Sequence, residues 1–206
     1  MIPDGYRMER GLLWPASDVG GPAVMMSSAS SLVDVYLHCE DFDVAVQAGG
    51  HCGVWPQAMG HKFAAVYTFE PDPMNFRCLC ANAPAENIYK YNAALGGVRG
   101  GIDMVRRPDN TGAHVIGGDG VIPTILVDDL KLAACNLIYL DVEGYELRVL
   151  YGARETITAH RPVIVIEDKG CSERYGVKIG ETPAWVCNRF GYKIAERLHR
   201  DVVLVP

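Results

Sequence analysis

Three groups of residues have the types and spacing to do chemistry. The first is Gln47-Ala48-Gly49-Gly50-His51-Cys52-Gly53, which closes one apolar run and leads into a helix-like one. Glycines at a strand-to-helix turn let a ligand approach the backbone, and the free N–H groups of the helix face that ligand. The second is Glu70, which ends the next apolar run just before Pro71. An α/β nucleotide fold presents a carboxylate to ribose hydroxyls about 20 residues beyond its glycine turn, and Glu70 follows Gly53 at close to that distance. The third is Asp141-Val142-Glu143-Gly144-Tyr145-Glu146. It sets acids at the carboxyl end of an apolar strand, in the crevice where open α/β sheets bind ligands.

The acids of the third group divide by role. Asp141 is read as functional, because bringing carboxylates together in a cleft costs energy. Glu143 is either its functional companion or the cap of the following helix, and Glu146 favours that helix's first turn. His51 either touches a ligand, acts as a base, or is a plain loop residue. Glu167 ends a further apolar run. Together with Asp141 and Glu143 it could hold a divalent ion between strand tips, but no metal is expected, since nothing in the spacing demands one. Cys78 and Cys80 lie two apart on a helix-like stretch and so point to different faces, a poor metal pair.

These residues need elements to position them. Short apolar runs at 44–48, 64–69, 88–94, 137–140 and 162–166 suit strands buried on both faces of a parallel sheet. Helix-like stretches lie between them at 54–61, 73–83 and 144–160. In the last, Val149, Leu150, Ala153 and Ile157 share one face. Such alternation implies βαβ crossovers in a layered α/β sheet. The Gly- and Pro-rich opening reads as an irregular arm with one strand at 11–14. A helix follows from about Pro22 to His38, with Val24, Leu32, Val35 and Tyr36 facing the core. Residues 96–120 form a polar, Gly-rich loop or hairpin at the sheet's edge, a possible lid. A strand at 122–127 is followed by Asp128 and Asp129, which cap a short helix. A helix at 182–190 precedes strands at 192–196 and 202–205. Those two are so close in sequence that they must pair antiparallel.

The 206 residues fit one domain with a single sizeable core, divided here into an arm and helix over 1–40 and a main unit over 41–206. A content of 49% hydrophobic and 21% charged residues is that of a globular chain, not a disordered or fibrous one. The net charge of −6 argues against a nucleic-acid binder, whose affinity needs a basic face. No apolar run has the length of a membrane span, and residues 1–10 contain no hydrophobic signal core. Seven cysteines, an odd number, suit reduced thiols in a cytoplasmic setting.

Taken in order, residues 47–53, 69–73, 91–96, 123–130, 139–146, 149–153 and 161–167 resemble the FkbM-type methyltransferases. Asp109-Asn110-Thr111-Gly112 and the closing Gly191-Tyr192-Lys193 with its Val-Pro end resemble them too. The likeness runs from about Phe42 to Pro206, with a looser echo near Trp14 and Asp18. It implies a three-layer, Rossmann-like class I fold: a mostly parallel seven-stranded sheet with one antiparallel strand near the C-terminus. It also implies S-adenosylmethionine as cofactor. The cofactor-binding residues it implies are Gln47, Gly49, Gly50, Gly53, Glu70, Pro71, Asn92, Ala93 and Asp141. Of these, the glycines would border methionine and ribose, Glu70 the ribose diol, and Asn92 with Ala93 the adenine. Asp141 and Glu143 would face the methyl group and its acceptor, with His51 as a further candidate base. Gln47 stands where the family usually has an aspartate, and it carries no charge.

The expected activity is methylation of a hydroxyl on a small molecule or glycan, in a chain that makes no use of nucleic acid or membrane. A homo-oligomer is left open. Two alternatives accompany it. Gln47 suits a methyltransferase fold that has lost catalysis and serves as a binding module. The glycine turn with Glu70 also fits an NAD(P)-dependent oxidoreductase, although the antiparallel ending favours the methyltransferase topology.

Overall fold

A computed structural model describes residues 2–19, 31–107 and 109–206. The chain opens with an antiparallel hairpin of β1 (Tyr6–Glu9) and β2 (Leu12–Pro15), where the sequence predicts a single strand. Arg10 and Gly11 join the two with φ of 51° and 81°, the mirror-image turn that suits a two-residue hairpin. Helix α1 (Leu32–Tyr36) lies within the stretch expected to be helical from Pro22 to His38, and it buries Leu32 and Val35. Pro22 and Val24 lie outside the described residues.

Two βαβ units follow: β3 (Val44–Ala48), α2 (Val54–Gly60), β4 (Ala65–Phe69), α3 (Pro73–Asn82) and β5 (Ile88–Tyr91). The chain then leaves this sheet for a second one, built from β6 (Ala94–Leu95), β7 (Gly100–Val105), β8 (Val115–Asp119) and β9 (Ile122–Ile125). It returns through β10 (Leu137–Leu140), α4 (Glu146–Tyr151), α5 (Arg154–His160) and β11 (Val163–Glu167). The final elements are α6 (Glu181–Phe190), β12 (Lys193–Leu198) and β13 (Asp201–Val205). The main sheet has seven strands in the order β12-β13-β11-β10-β3-β4-β5. Strand β13 runs antiparallel to both of its neighbours, and the other pairings are parallel.

Alternation along the strands builds the layers. Ala45, Val66, Leu137, Tyr139, Val163 and Val203 face one side, where Leu32, Val35, Trp55, Met59 and Leu79 cover them. Val46, Ile138, Leu140, Ile164, Ile166 and Leu204 face the other, against Val149, Leu150, Ile157 and Val186. The result is the expected three-layer α/β fold. None of the helices among the described residues is long and apolar enough to cross a membrane.

Two expected elements are each divided in the structure. The strand expected over 88–94 ends at Tyr91, because Ala94 and Leu95 pair with β9 instead of continuing in the main sheet. The helix expected over 144–160 breaks at Gly152. There a Cβ would lie 2.1 Å from the carbonyl oxygen of Gly96, so only glycine fits. The Gly152 carbonyl accepts the N–H of Asp128, and Asp128 in turn caps α5 by accepting from the N–H groups of Glu155 and Thr156.

Candidate functional site

The register of the central strands brings the candidate residues together. Ala48, the last residue of β3, lies opposite Phe69 on one side and Leu140 on the other. Glu70 and Asp141 therefore leave the two strands that flank β3, and the turn from Gly49 runs between them. Gly49 has a φ of 84°, and a Cβ there would lie 1.9 Å from the Asp141 carbonyl oxygen. The turn can pass between the strand tips only because this residue has no side chain.

A cleft opens over this turn, its space of about 680 Å³ running out into solvent at the mouth. Ala48, Gly49, His51, Glu70, Asp141 and Glu143 line its floor, and Phe69, Pro71, Ala93 and Leu95 form an apolar wall. Its roof comes from Met104, Thr111, His114 and Ile116 in and between β7 and β8. The excursion expected at the sheet's edge is thus a hairpin folded over the cleft.

Each acid has its own surroundings. Glu70 is buried; its Oε2 accepts the His51 N–H at 2.7 Å and its Oε1 the Asp72 N–H at 2.8 Å. Burial pushes its carboxyl up to about 7, against the pull of His51 and these two N–H groups. Burial likewise raises the Asp141 and Glu167 carboxyls, and the like charges around them add to the shift. Glu143, at a φ of 55°, lies in the left-handed region. Its Oε1 accepts from Lys169 Nζ at 2.9 Å and its Oε2 from the Cys171 thiol at 3.3 Å. The helix-capping alternative for Glu143 is therefore not its role. Glu146, the first residue of α4, instead accepts the N–H groups of Val142 and Gly144 in the turn before the helix, whose N-cap Tyr145 has no side-chain cap bond.

Not all the expected cofactor residues reach the cleft. Gln47 is fully buried beneath the turn. Its amide donates to the carbonyls of Ala48 and Gly49 and accepts from the Thr68 hydroxyl. A carboxylate has no hydrogen to give those carbonyls, so the uncharged amide is what the turn needs here. Gly50 packs on Thr68 and Leu79, and Gly53 is the N-cap of α2. Asn92 supports the turn after β4, donating to the carbonyls of Glu70 and Pro71. Among the expected cofactor residues, Gly49, Glu70, Pro71, Ala93 and Asp141 line the cleft itself.

Several residues around the cleft were not among the expected site residues. Asp18, fully buried, accepts from the Thr111 hydroxyl at 2.8 Å. That bond uses the hydroxyl's one hydrogen, so the contact of 2.8 Å between Thr111 Oγ1 and His51 Nε2 is a donation from the imidazole. The arm, the roof and the glycine turn are tied together in this way. Asp72 caps α3, accepting from the N–H groups of Met74 and Asn75, and it also receives Arg106 Nε at 2.8 Å. The Asp72-Pro73 pair is the one local signal for this, a cap residue followed by proline at the first helical position. Lys169 and His114 carry no such signal, since long-range packing alone brings them in.

Comparison with known proteins gives the following. The family model for the methyltransferase FkbM domain matches residues 56–194. No curated protein matches the chain. Among solved structures, a methyltransferase FkbM from Methylobacillus flagellatus KT is 22% identical with a TM-score of 0.56, over 79% of this chain and 43% of that one. This chain therefore spans less than half the length of that relative. The N-methyltransferase NodS from Bradyrhizobium japonicum WM9, in complex with S-adenosyl-l-homocysteine, is 12% identical at a TM-score of 0.53 and covers 87% and 84% of the two chains. A precorrin 8W decarboxylase from Methanobacterium thermoautotrophicum is 11% identical at 0.53, over 100% of each chain. At these identities the structural matches speak to the fold.

Proposed function

The chain belongs to the FkbM methyltransferase family, and from that premise we propose that its cleft binds S-adenosylmethionine and directs the methyl group to a hydroxyl of a small molecule or glycan. One observation carries this reading: Glu70 and Asp141 flank the bare backbone of Gly49 on the floor of a single cleft. The residues fit the cofactor. Each Glu70 oxygen accepts one backbone N–H and keeps a lone pair, so the carboxylate can take both hydroxyls of a ribose. Phe69, Pro71, Ala93 and Leu95 offer an apolar wall to an adenine ring. Asp141 and Glu143 give the far end of the cleft the negative charge that suits a sulfonium.

When bound, the cofactor supplies a methyl group made electrophilic by that sulfonium. The protein must hold the acceptor oxygen in line with it and remove its proton. Asp141 is the proton acceptor on this reading, because both Glu143 oxygens already have donors. An acceptor oxygen relieved of its proton in this way would be ready for the methyl group the cofactor would supply, the product being an ether or ester. His51 contributes through its donation to Thr111, which fixes the roof. Met104, His114 and Ile116 reach into the cleft from that roof and would shape the acceptor's seat.

Family membership decides against the dinucleotide oxidoreductase alternative. The binding-module alternative drew on the missing charge at Gln47, and the bonds of that amide to the Ala48 and Gly49 carbonyls support a structural role for it instead. The test is transfer of labelled methyl from S-adenosylmethionine to a panel of sugar, polyketide and amine acceptors. Label is expected on oxygen, with Asp141→Asn turning over roughly 100- to 10,000-fold slower, the usual effect of losing a general base. Label on nitrogen acceptors alone, or an unimpaired Asp141→Asn, would refute the assignment.

A further inference from the structure

Strands β10 and β11 pair in register, Leu140 opposite Ile166, so Asp141 and Glu167 leave neighbouring strand tips together. Carboxylate oxygens of Asp141, Glu143 and Glu167 lie within 4.8 Å of one another. Three acids this close repel unless a cation or a proton is placed among them. A divalent ion would do this by taking carboxylate oxygens at about 2.0–2.6 Å. In this chain another cation already holds two of the three acids. Lys169 Nζ lies 2.9 Å from Glu143 Oε1 and 2.7 Å from Glu167 Oε2, with its side chain largely buried. An ion bound to the same two oxygens would collide with the ammonium, so the two are mutually exclusive. The next acid outward, Asp201, sits opposite Glu167 and is paired separately, accepting from the Tyr139 hydroxyl at 2.7 Å.

We propose that Lys169 is the built-in counter-ion of the strand-tip acids, a positioning residue whose ammonium stands where a divalent cation would otherwise bind and holds Glu143 and Glu167 away from the acceptor. The counter-ion assignment rests on the cluster's geometry; only its service to Asp141 rests on the methyl-transfer reading. The long flexible stem lets the ammonium sit between two carboxylates, and two close ion pairs outweigh the cost of burying it.

The experiment titrates Mn²⁺ alone into the full chain by calorimetry and electron paramagnetic resonance, comparing wild type with Lys169→Met, Lys169→Gln and Lys169→Arg. Wild type and Lys169→Arg are expected to take up no Mn²⁺ at the cleft at millimolar concentration. Lys169→Met and Lys169→Gln should gain one site, roughly 10- to 100-fold tighter than the millimolar limit on wild type, the scale on which a neighbouring group changes metal affinity. Adding Glu167→Gln should abolish the gained site. Lys169→Gln keeps a donor in place should the methionine variant fail to fold. Saturable Mn²⁺ binding to wild type, or no gain in a folded neutral variant, would overturn the proposal. S-adenosylhomocysteine is titrated into the same proteins, so failure of the adenosyl reading would register separately, as the absence of any thermal shift in wild type.

Discussion

Replacing Gly49 with alanine tests the geometry on which the cleft depends. The new Cβ would lie 1.9 Å from the Asp141 carbonyl oxygen and 2.9 Å from its carbon. Both are backbone atoms of the neighbouring strand tip, so no side-chain rotation relieves the contact. A left-handed conformation in a residue with a Cβ costs about 1–2 kcal/mol, and forcing extra volume into packed surroundings adds about 1–3 kcal/mol. The sum is roughly 3 kcal/mol, and a domain of this size loses about 2–4 °C of Tm per kcal/mol. Scanning calorimetry should therefore show Tm falling by about 6–12 °C. Gly11 supplies the control, with a φ of 81° but nothing within 4 Å of a Cβ. Gly11→Ala carries the conformational cost alone, about half of the effect. If Gly49→Ala melts within 2 °C or so of Gly11→Ala, the strand tips are farther apart than described and the reasoning fails.

Two further perturbations address what holds the turn in place. Asn82 accepts the Leu13 N–H at 2.8 Å and donates to the carbonyls of Leu13 and Cys52, binding the hairpin and the glycine turn to α3. Asn82→Ala leaves those buried groups unpaired and should cost about 2–4 kcal/mol, read as a lower urea midpoint at unchanged m-value. Glu146 is buried, and burial pushes its carboxyl up to about 7 despite the N–H groups it accepts. The folded chain then holds a proton that the unfolded chain releases at its ordinary, lower pKa. The contribution to stability is full below that ordinary value and is lost as pH rises through about 7. Glu70, raised to about 7 by burial, has the same sign. The Tm should accordingly fall from pH 5 toward pH 8, and less steeply in Glu146→Gln, whose amide oxygen still accepts the Val142 and Gly144 N–H groups. An equal slope in the two proteins would contradict the assignment.

The central elements were legible in the sequence because their signals are local. Apolar runs without polar alternation, such as Leu137 to Leu140, mark strands covered on both faces, and the structure buries every residue of that run. The glycine turn, Glu70 and Asp141 were legible for a related reason: strand tips in a parallel sheet converge, so residues far apart in sequence share one cleft. Where a boundary depends on a distant partner, local pattern fails. The break at Gly152 is set by Gly96 and Asp128, and the departure of the chain after Tyr91 by pairing with β9. Strand β1 escaped notice because its residues are only partly buried and its pairing depends on the turn at Arg10. Gln47 shows the converse. Its type was read against the ligand, yet its amide serves the backbone beneath the turn.

Adenosyl binding at Glu70 is the step on which the proposed function depends. S-adenosylhomocysteine at about 100 times its Kd should stabilise wild type by about 2.7 kcal/mol, a rise in Tm of roughly 5–11 °C. Glu70→Gln keeps an oxygen for one of the two turn N–H groups but loses the charge offered to the ribose, which is worth about 1.5–3 kcal/mol in hydrogen bonds. At the same ligand concentration it should therefore gain only about 0.3–1.3 kcal/mol, less than half the wild-type shift. A Glu70→Gln shift as large as that of wild type, or a wild type unmoved by millimolar ligand, would contradict the proposed function.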